Sequence, residues 1–157
     1  MTPGQYVVFH STGWGARLIQ LGTLSYFNHT GVLDENLSLI EAQPGGVVVT
    51  PASEWQKRDD WVVSRIKLSD EESAQIVSCA KSYIGTPYGW LDIVALALVA
   101  LGIRPKWLDN FAQRDDALVC SQLVAIAYDE ADLTFRGQDP WTVTPGDLAL
   151  AITRSNA

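Results

Sequence analysis

Basic residues are scarce and scattered: 11 Lys and Arg stand against 18 Asp and Glu, for a formal net charge of −7. No Lys/Arg cluster or basic stripe exists to track a phosphate backbone, so nucleic acid is not the expected partner. Cysteine is nearly absent. Cys79 and Cys120 are too few for a disulfide framework. They lie far apart, and neither His10 nor His29 has a partner at ligand spacing, so no zinc signature is present and neither metal nor cofactor is expected. Long apolar runs are missing too, because the longest, "LDIVALALVALGI" (91–103), is too short to span a bilayer of about 30 Å. It reads as a buried core helix, with an interfacial helix as the alternative. The opening "MTPGQYVVFHSTGWG" has no basic start and no apolar h-region. The expectation is a chain that is cytoplasmic as synthesised, with a phage particle, a holin or a secretion apparatus as the route to the cell envelope. The sequons at Asn28 and Asn36 are then chance matches.

What the sequence has is apolar and aromatic material. Hydrophobic residues make up 47%, with six Trp, five Tyr and four Phe. In 157 residues that supports one packed core and leaves little room for a second, so residues 1–157 read as a single domain. Strand patterns come first: "GQYVVFH" (4–10), "HTGVLD", "LSLIEA", "VVVT" and "WVVSRIKL", with Pro44-Gly45-Gly46 as a turn. A short helix is expected in "GWGARLIQLGTLSYF". From Ser69 the period changes. "SDEESAQIVSCAKSYIG" starts with Ser69 three residues before Glu72, a capping-box pattern, and stops at Gly85. "YGWLDIVALALVALG" and "LVCSQLVAIAYDEADL" give two more helices, with "PKWLDNFAQRDD" as a polar connection between them. "TPGDLALAI" reads as a turn followed by a closing strand or helical turn. Strands followed by helices indicate an α+β domain with an antiparallel sheet packed against helices.

Two places carry chemistry. Counting from Cys120, Leu123, Val124, Ala127, Tyr128 and Ala131 fall on one helical face, which puts Cys120 at the helix start on the core side. The positive end of a helix dipole favours an anion there. Asp115 and Asp116 work against it, and a small buried hydrophobe is the alternative role. Cys79 lies in mid-helix and reads as packing. The second place is "NHTGVLDENLSLIEA" (28–42). If Asp34-Glu35-Asn36 form a three-residue loop, Leu33 opposes Leu37 and His29 opposes Glu41 on one face of the sheet. A carboxylate there could hold one imidazole nitrogen and leave the other to take a proton from a thiol. A shift of one residue would break the pair. His10, at the end of the first strand, is the rival base. The sequence shows no obvious acidic orienter for it, and it reads as structural or cleft-lining.

In order along the chain, "GQYVVFHSTG", "YFNHTGVL", "IEAQPGGV", "VCSQLVAIAYDEADL" and "TPGDLA" resemble the circularly permuted branch of the NlpC-type papain-like cysteine hydrolases, the YiiX/YaeF-like amidase group related to lecithin retinol acyltransferase. The resemblance runs over roughly residues 3–150. It implies a permuted papain-like fold with the His strand ahead of the Cys helix. It also implies Cys120 as nucleophile, His29 as general base and Glu41 as the residue that orients it. "GTPYGW" resembles the aromatic segment that lines the family's cleft, making Tyr88 a substrate-binding candidate. The implied reaction is hydrolysis of an amide in a peptide or cell-wall stem peptide through a thioester. Asn28 replaces the usual Ser before the His, and "VCSQ" departs from the nucleophile motif of the acyltransferases. The alternatives are a lipid amide or ester hydrolase or acyltransferase, and a non-catalytic binding module of the same fold.

Overall fold

The computed structural model describes residues 1–10, 25–89, 118–135 and 137–154. The helices expected at 13–27 and 88–102, the connection after them, and Asp115 and Asp116 fall wholly or largely outside the described residues. The strands are β1 (Tyr6–Phe9), β2 (His29–Leu33), β3 (Leu39–Gln43), β4 (Gly46–Thr50) and β5 (Trp61–Val63). They form one antiparallel sheet in the order β4-β3-β2-β1-β5. The helices are α1 (Ala52–Trp55), α2 (Asp70–Ser82), α3 (Cys120–Asp129) and α4 (Pro145–Arg154). The architecture is therefore mixed α and β, an open five-stranded sheet packed against helices.

Strand alternation sorts the side chains into two clusters. On one side Tyr6, Val8, Val32, Ile40, Ala42 and Val47 join Ile76 and Ala80 of α2, Cys120, Leu123, Val124 and Tyr128 of α3, and Leu148 and Ile152 of α4. On the other side Val7, Phe9, Leu33 and Leu39 pack against Trp55 of α1. Buried polar tips find acceptors: the Tyr6 hydroxyl donates to Leu148 O at 2.9 Å and the Tyr128 hydroxyl to Gly4 O at 2.9 Å. Such satisfied hydroxyls let aromatic bulk enter the core without an orphan donor.

Local chemistry explains where elements stop and start. The ladder between β1 and β5 ends at Val63 because the Ser64 side chain takes the Tyr6 N–H at 3.1 Å. The expected strand "WVVSRIKL" is thus three residues long. At Ser69 the capping box forms as expected, with reciprocal Ser69 and Glu72 bonds. The chain end corrects an expectation: "TPGDLALAI" opens a ten-residue helix, with neither a closing strand nor a single helical turn. Thr144 and Asp147 bond each other's backbone N–H groups, and Pro145 stands at the first helical position. Gly46, at φ 114, has Thr86 O within 2.8 Å of where a Cβ would sit. This close approach lets Val47 and Gly85–Thr86 exchange backbone bonds of 2.9 Å and 2.9 Å, which brings the Tyr88 segment against the sheet.

Candidate active site

The β2–β3 hairpin departs from the expected register. Val32 pairs with Ile40 and Leu33 with Leu39, so Leu33 does not oppose Leu37 and His29 does not directly oppose Glu41. The loop does hold three residues, but they are Glu35-Asn36-Leu37. Asp34 pairs with Ser38 through a 2.9 Å backbone bond, and its carboxylate accepts from the N–H groups of Asn36 and Ser38 at 2.8 Å each. Leu37 takes the left-handed conformation, at φ 58, and its carbonyl accepts from the Trp55 indole at 2.9 Å. Asp34 is thus the first residue of a turn, a position Asp favours for this reason. The displacement is two residues. Because side chains alternate with a period of two, an even displacement keeps His29 and Glu41 on the same face, now as diagonal neighbours.

The pair forms. His29 Nε2 lies 2.5 Å from Glu41 Oε2. The carboxylate is fully buried and the imidazole 15% exposed. Glu41 has three further bonds. Thr50 Oγ1 donates to Oε1 at 2.5 Å, and Arg58 forks across both oxygens, Nη1 to Oε2 at 2.7 Å and Nη2 to Oε1 at 2.6 Å. Burial alone would push the Glu41 carboxyl up. The Arg58 bonds, then those from His29 and Thr50, overcome it and hold the group down to about 2. Phe9 supplies an apolar wall to both cations, with its ring 5.9 Å from the imidazole and 5.3 Å from the guanidinium carbon.

Glu41 takes Nε2, which leaves Nδ1 as the nitrogen available to a thiol. Cys120 is the first residue of α3 and is 2% exposed. The alternation places His29 on the Phe9 side of the sheet, and as the first residue of β2 it is near enough to Cys120 for that residue to act on its imidazole. Burial pulls the imidazole down, but the charge and hydrogen bond of Cys120, then the Glu41 bond and charge, push it up to about 9. The helix start is built for an anion. Its N-cap is Val119, which has no side-chain acceptor, so among the described residues no N-cap side chain takes a first-turn N–H group. Gln122 instead fixes the entry from inside, accepting from Val119 N–H at 3.0 Å and donating to Trp141 O at 3.3 Å. A thiol at the helix start, an imidazole beside it and a carboxylate behind can move a proton from sulfur to nitrogen.

The other expected residues fall into place by contact. Tyr88 bridges to Leu118 in parallel fashion, two residues before Cys120. Burial, then the charge at Cys120, push its phenol well up, so it stays neutral. His10 is stacked on Tyr26 at 4.1 Å, and its Nδ1 lies 2.8 Å from Tyr26 O. Cys79 packs against the core from α2, and burial followed by the Glu130 charge push its thiol up, away from reactivity. Sequence reasoning missed Thr50 and Arg58. Thr50 ends β4, whose strand pattern is plain in the sequence, on the Glu41 face; Arg58 follows a four-residue helix that no periodicity announces.

No protein-family model matches the chain. In sequence it is similar to the uncharacterized protein YiiX of Escherichia coli strain K12, 28% identical over 124 residues, covering 74% of this chain and 52% of YiiX. A crystal structure described as metalloprotein YiiX of Escherichia coli O157:H7, DUF1105, matches with a TM-score of 0.62 at 27% identity. That match covers 83% of this chain and 66% of the other. The chain is thus homologous to YiiX in sequence and in structure, and it spans about half the length of the curated relative. Neither name assigns a reaction. As for a metal, the described residues include no group of three or more His, Cys, Asp and Glu placed to hold one. Both Glu41 oxygens and His29 Nε2 are already engaged within the chain, so this donor set does not fit a metal. Among the described residues no helix is long and apolar enough to cross a membrane.

Proposed function

We propose that this chain is a cysteine hydrolase of the permuted, papain-like NlpC type that cleaves an amide bond. The observation that carries the reading is the buried Glu41–His29 pair, 2.5 Å apart, with Cys120 acting on the same imidazole from the start of a helix. Cys120 Sγ attacks the acyl carbon while its proton passes to His29. The developing oxyanion takes the Cys120 backbone N–H, and the positive end of α3 favours it. His29 returns the proton to the departing amine as the C–N bond breaks. Water then adds to the thioester, giving the free acid and restoring the thiol. Glu41 holds the imidazole in the tautomer that this sequence of transfers needs.

The substrate class proposed is a peptide or cell-wall stem peptide, with Tyr88 lining its path. The test is alkylation by iodoacetamide at pH 6 to 7, followed residue by residue by mass spectrometry, in wild type and His29→Ala. An ordinary thiol, with a pKa of about 8.5, is almost wholly protonated there. Cys120 should react at least tenfold faster than Cys79, and the advantage should vanish in His29→Ala. Equal, slow reaction of both thiols in both proteins would leave a binding module of the same fold. Incubation with muropeptides and with phospholipid vesicles then distinguishes peptide from lipid cleavage, by which of the two yields product.

A further inference from the structure

Arg58 belongs to none of the roles in the proposed reaction, yet among the described residues it makes more bonds to Glu41 than any other side chain. It sits just beyond α1, on the same side of the sheet as Phe9 and Trp55, and its side chain is 31% exposed. Both of its bonds to Glu41 are short, and they are parallel in the way a guanidinium fork meets a carboxylate. Glu41 Oε2 is therefore shared between His29 and Arg58, and Oε1 between Thr50 and Arg58. Rotation of the carboxylate about its own axis would break all four bonds. A lysine could make one of the two Arg58 contacts but not both at once.

We propose that Arg58 is a positioning residue of the active site, which clamps Glu41 in the plane that faces His29 and neutralises it so that the imidazole is free to gain and lose its proton. This rests on the hydrolase reading above and extends it by one residue. The physical need is plain. A fully buried carboxylate beside an imidazole, with no other cation, would bind the imidazolium so firmly that the base could not release its proton. A second cation on the far side of the carboxylate weakens that hold without removing the orienting bond. The charged and titratable groups facing this cluster are Glu41 from β3, His29 from β2, Cys120 from α3, Glu54 from α1, which faces Arg58, and Tyr88, which faces Cys120.

The test compares Arg58→Gln and Arg58→Lys with wild type in the full chain, each checked for folding by circular dichroism. The first readout is the titration of His29 by imidazole chemical shift. Removing a cation raises proton affinity nearby, so Arg58→Gln should move the His29 titration to higher pH by at least half a unit. Arg58→Lys, which keeps the charge, should stay within about 0.2 unit of wild type. The second readout is Cys120 alkylation at pH 6 to 7, which should fall at least fivefold in both variants, because only the arginine fork fixes both oxygens. A His29 titration in Arg58→Gln that superposes on wild type overturns the proposal. So does an alkylation rate in Arg58→Lys within twofold of wild type, which decides the matter if Arg58→Gln fails to fold. Should wild-type Cys120 prove slow and indifferent to His29→Ala, the hydrolase reading fails instead, while the His29 titration still reports on the clamp.

Discussion

Replacing Glu41 by Gln removes one charge, keeps the volume, and turns two acceptor oxygens into one acceptor and one donor. The donor would then face Arg58, Thr50 or His29, each of which donates to Glu41 in the wild type. Glu41 is held at about 2 against an ordinary 4.5, so its ionised form contributes about 3 kcal/mol to folding near neutral pH. Breaking one side of a buried ion pair costs about 3 to 5 kcal/mol in general. Arg58 is 31% exposed and can turn toward water, which places the expected loss for Glu41→Gln at the lower end. The sign follows from linkage. A lowered carboxyl contributes stability that is fully present above 4.5 and is lost as pH falls through about 2. A raised imidazole contributes stability that is fully present below 6.5 and is lost as pH rises through about 9. Urea unfolding from pH 3.5 to 10 should therefore show the largest gap between wild type and Glu41→Gln at pH 4.5 to 6.5. The gap should narrow by roughly 1 kcal/mol at pH 3.5, and by less above pH 9, where only the part of the His29 shift that Glu41 supplies differs between the two proteins. A gap that stays constant over this range would refute the reasoning, since a loss of packing has no reason to follow the protonation of Glu41 and His29.

Two further changes address the scaffold around the site. Thr50→Val removes the 2.5 Å bond to Glu41 Oε1 and leaves the Arg58 fork in place, so a loss of about 1 kcal/mol is expected in urea unfolding. A loss above about 3 kcal/mol would mean that Thr50, and not Arg58, holds the carboxylate. Gly31→Ala would bring a Cβ to 2.6 Å from Ile40 O and 2.9 Å from the Leu39 side chain. A destabilisation of about 2 to 3 kcal/mol is expected from a contact that backbone cannot relieve, and a melting temperature equal to wild type would contradict it.

Much of the site was legible because its members sit where local rules are strongest. Cys120 stands at the start of an apolar helical face, and counting by threes and fours finds it without any knowledge of the fold. His29 and Glu41 share a face because strand side chains alternate, and that parity survived a hairpin displaced by two residues. The displacement itself was beyond the pattern. Asp34 reads as a loop residue by composition, and only its bonds to Asn36 and Ser38 make it the last paired position. Leu37 reads as strand, although the turn needs it in the left-handed region. Helix α4 has its signal in plain view, since Thr144 and Asp147 have capping-box spacing, but a Pro-Gly pair at the start reads as a turn.

The division between sequence and tertiary structure follows from the range of the forces involved. Helix caps, apolar faces and strand parity are settled within a few residues, and so the sequence alone placed Cys120 at a helix start and His29 on the Glu41 face. Which groups would surround a buried carboxylate depends on segments that the chain brings back from a distance. Thr50 arrives from the next strand and Arg58 from beyond a short helix, 9 and 17 residues from Glu41, and no periodicity links them. Cys120 comes from farther still. A charge taken out of water must be met by whatever donors the fold delivers, and that choice was made by packing.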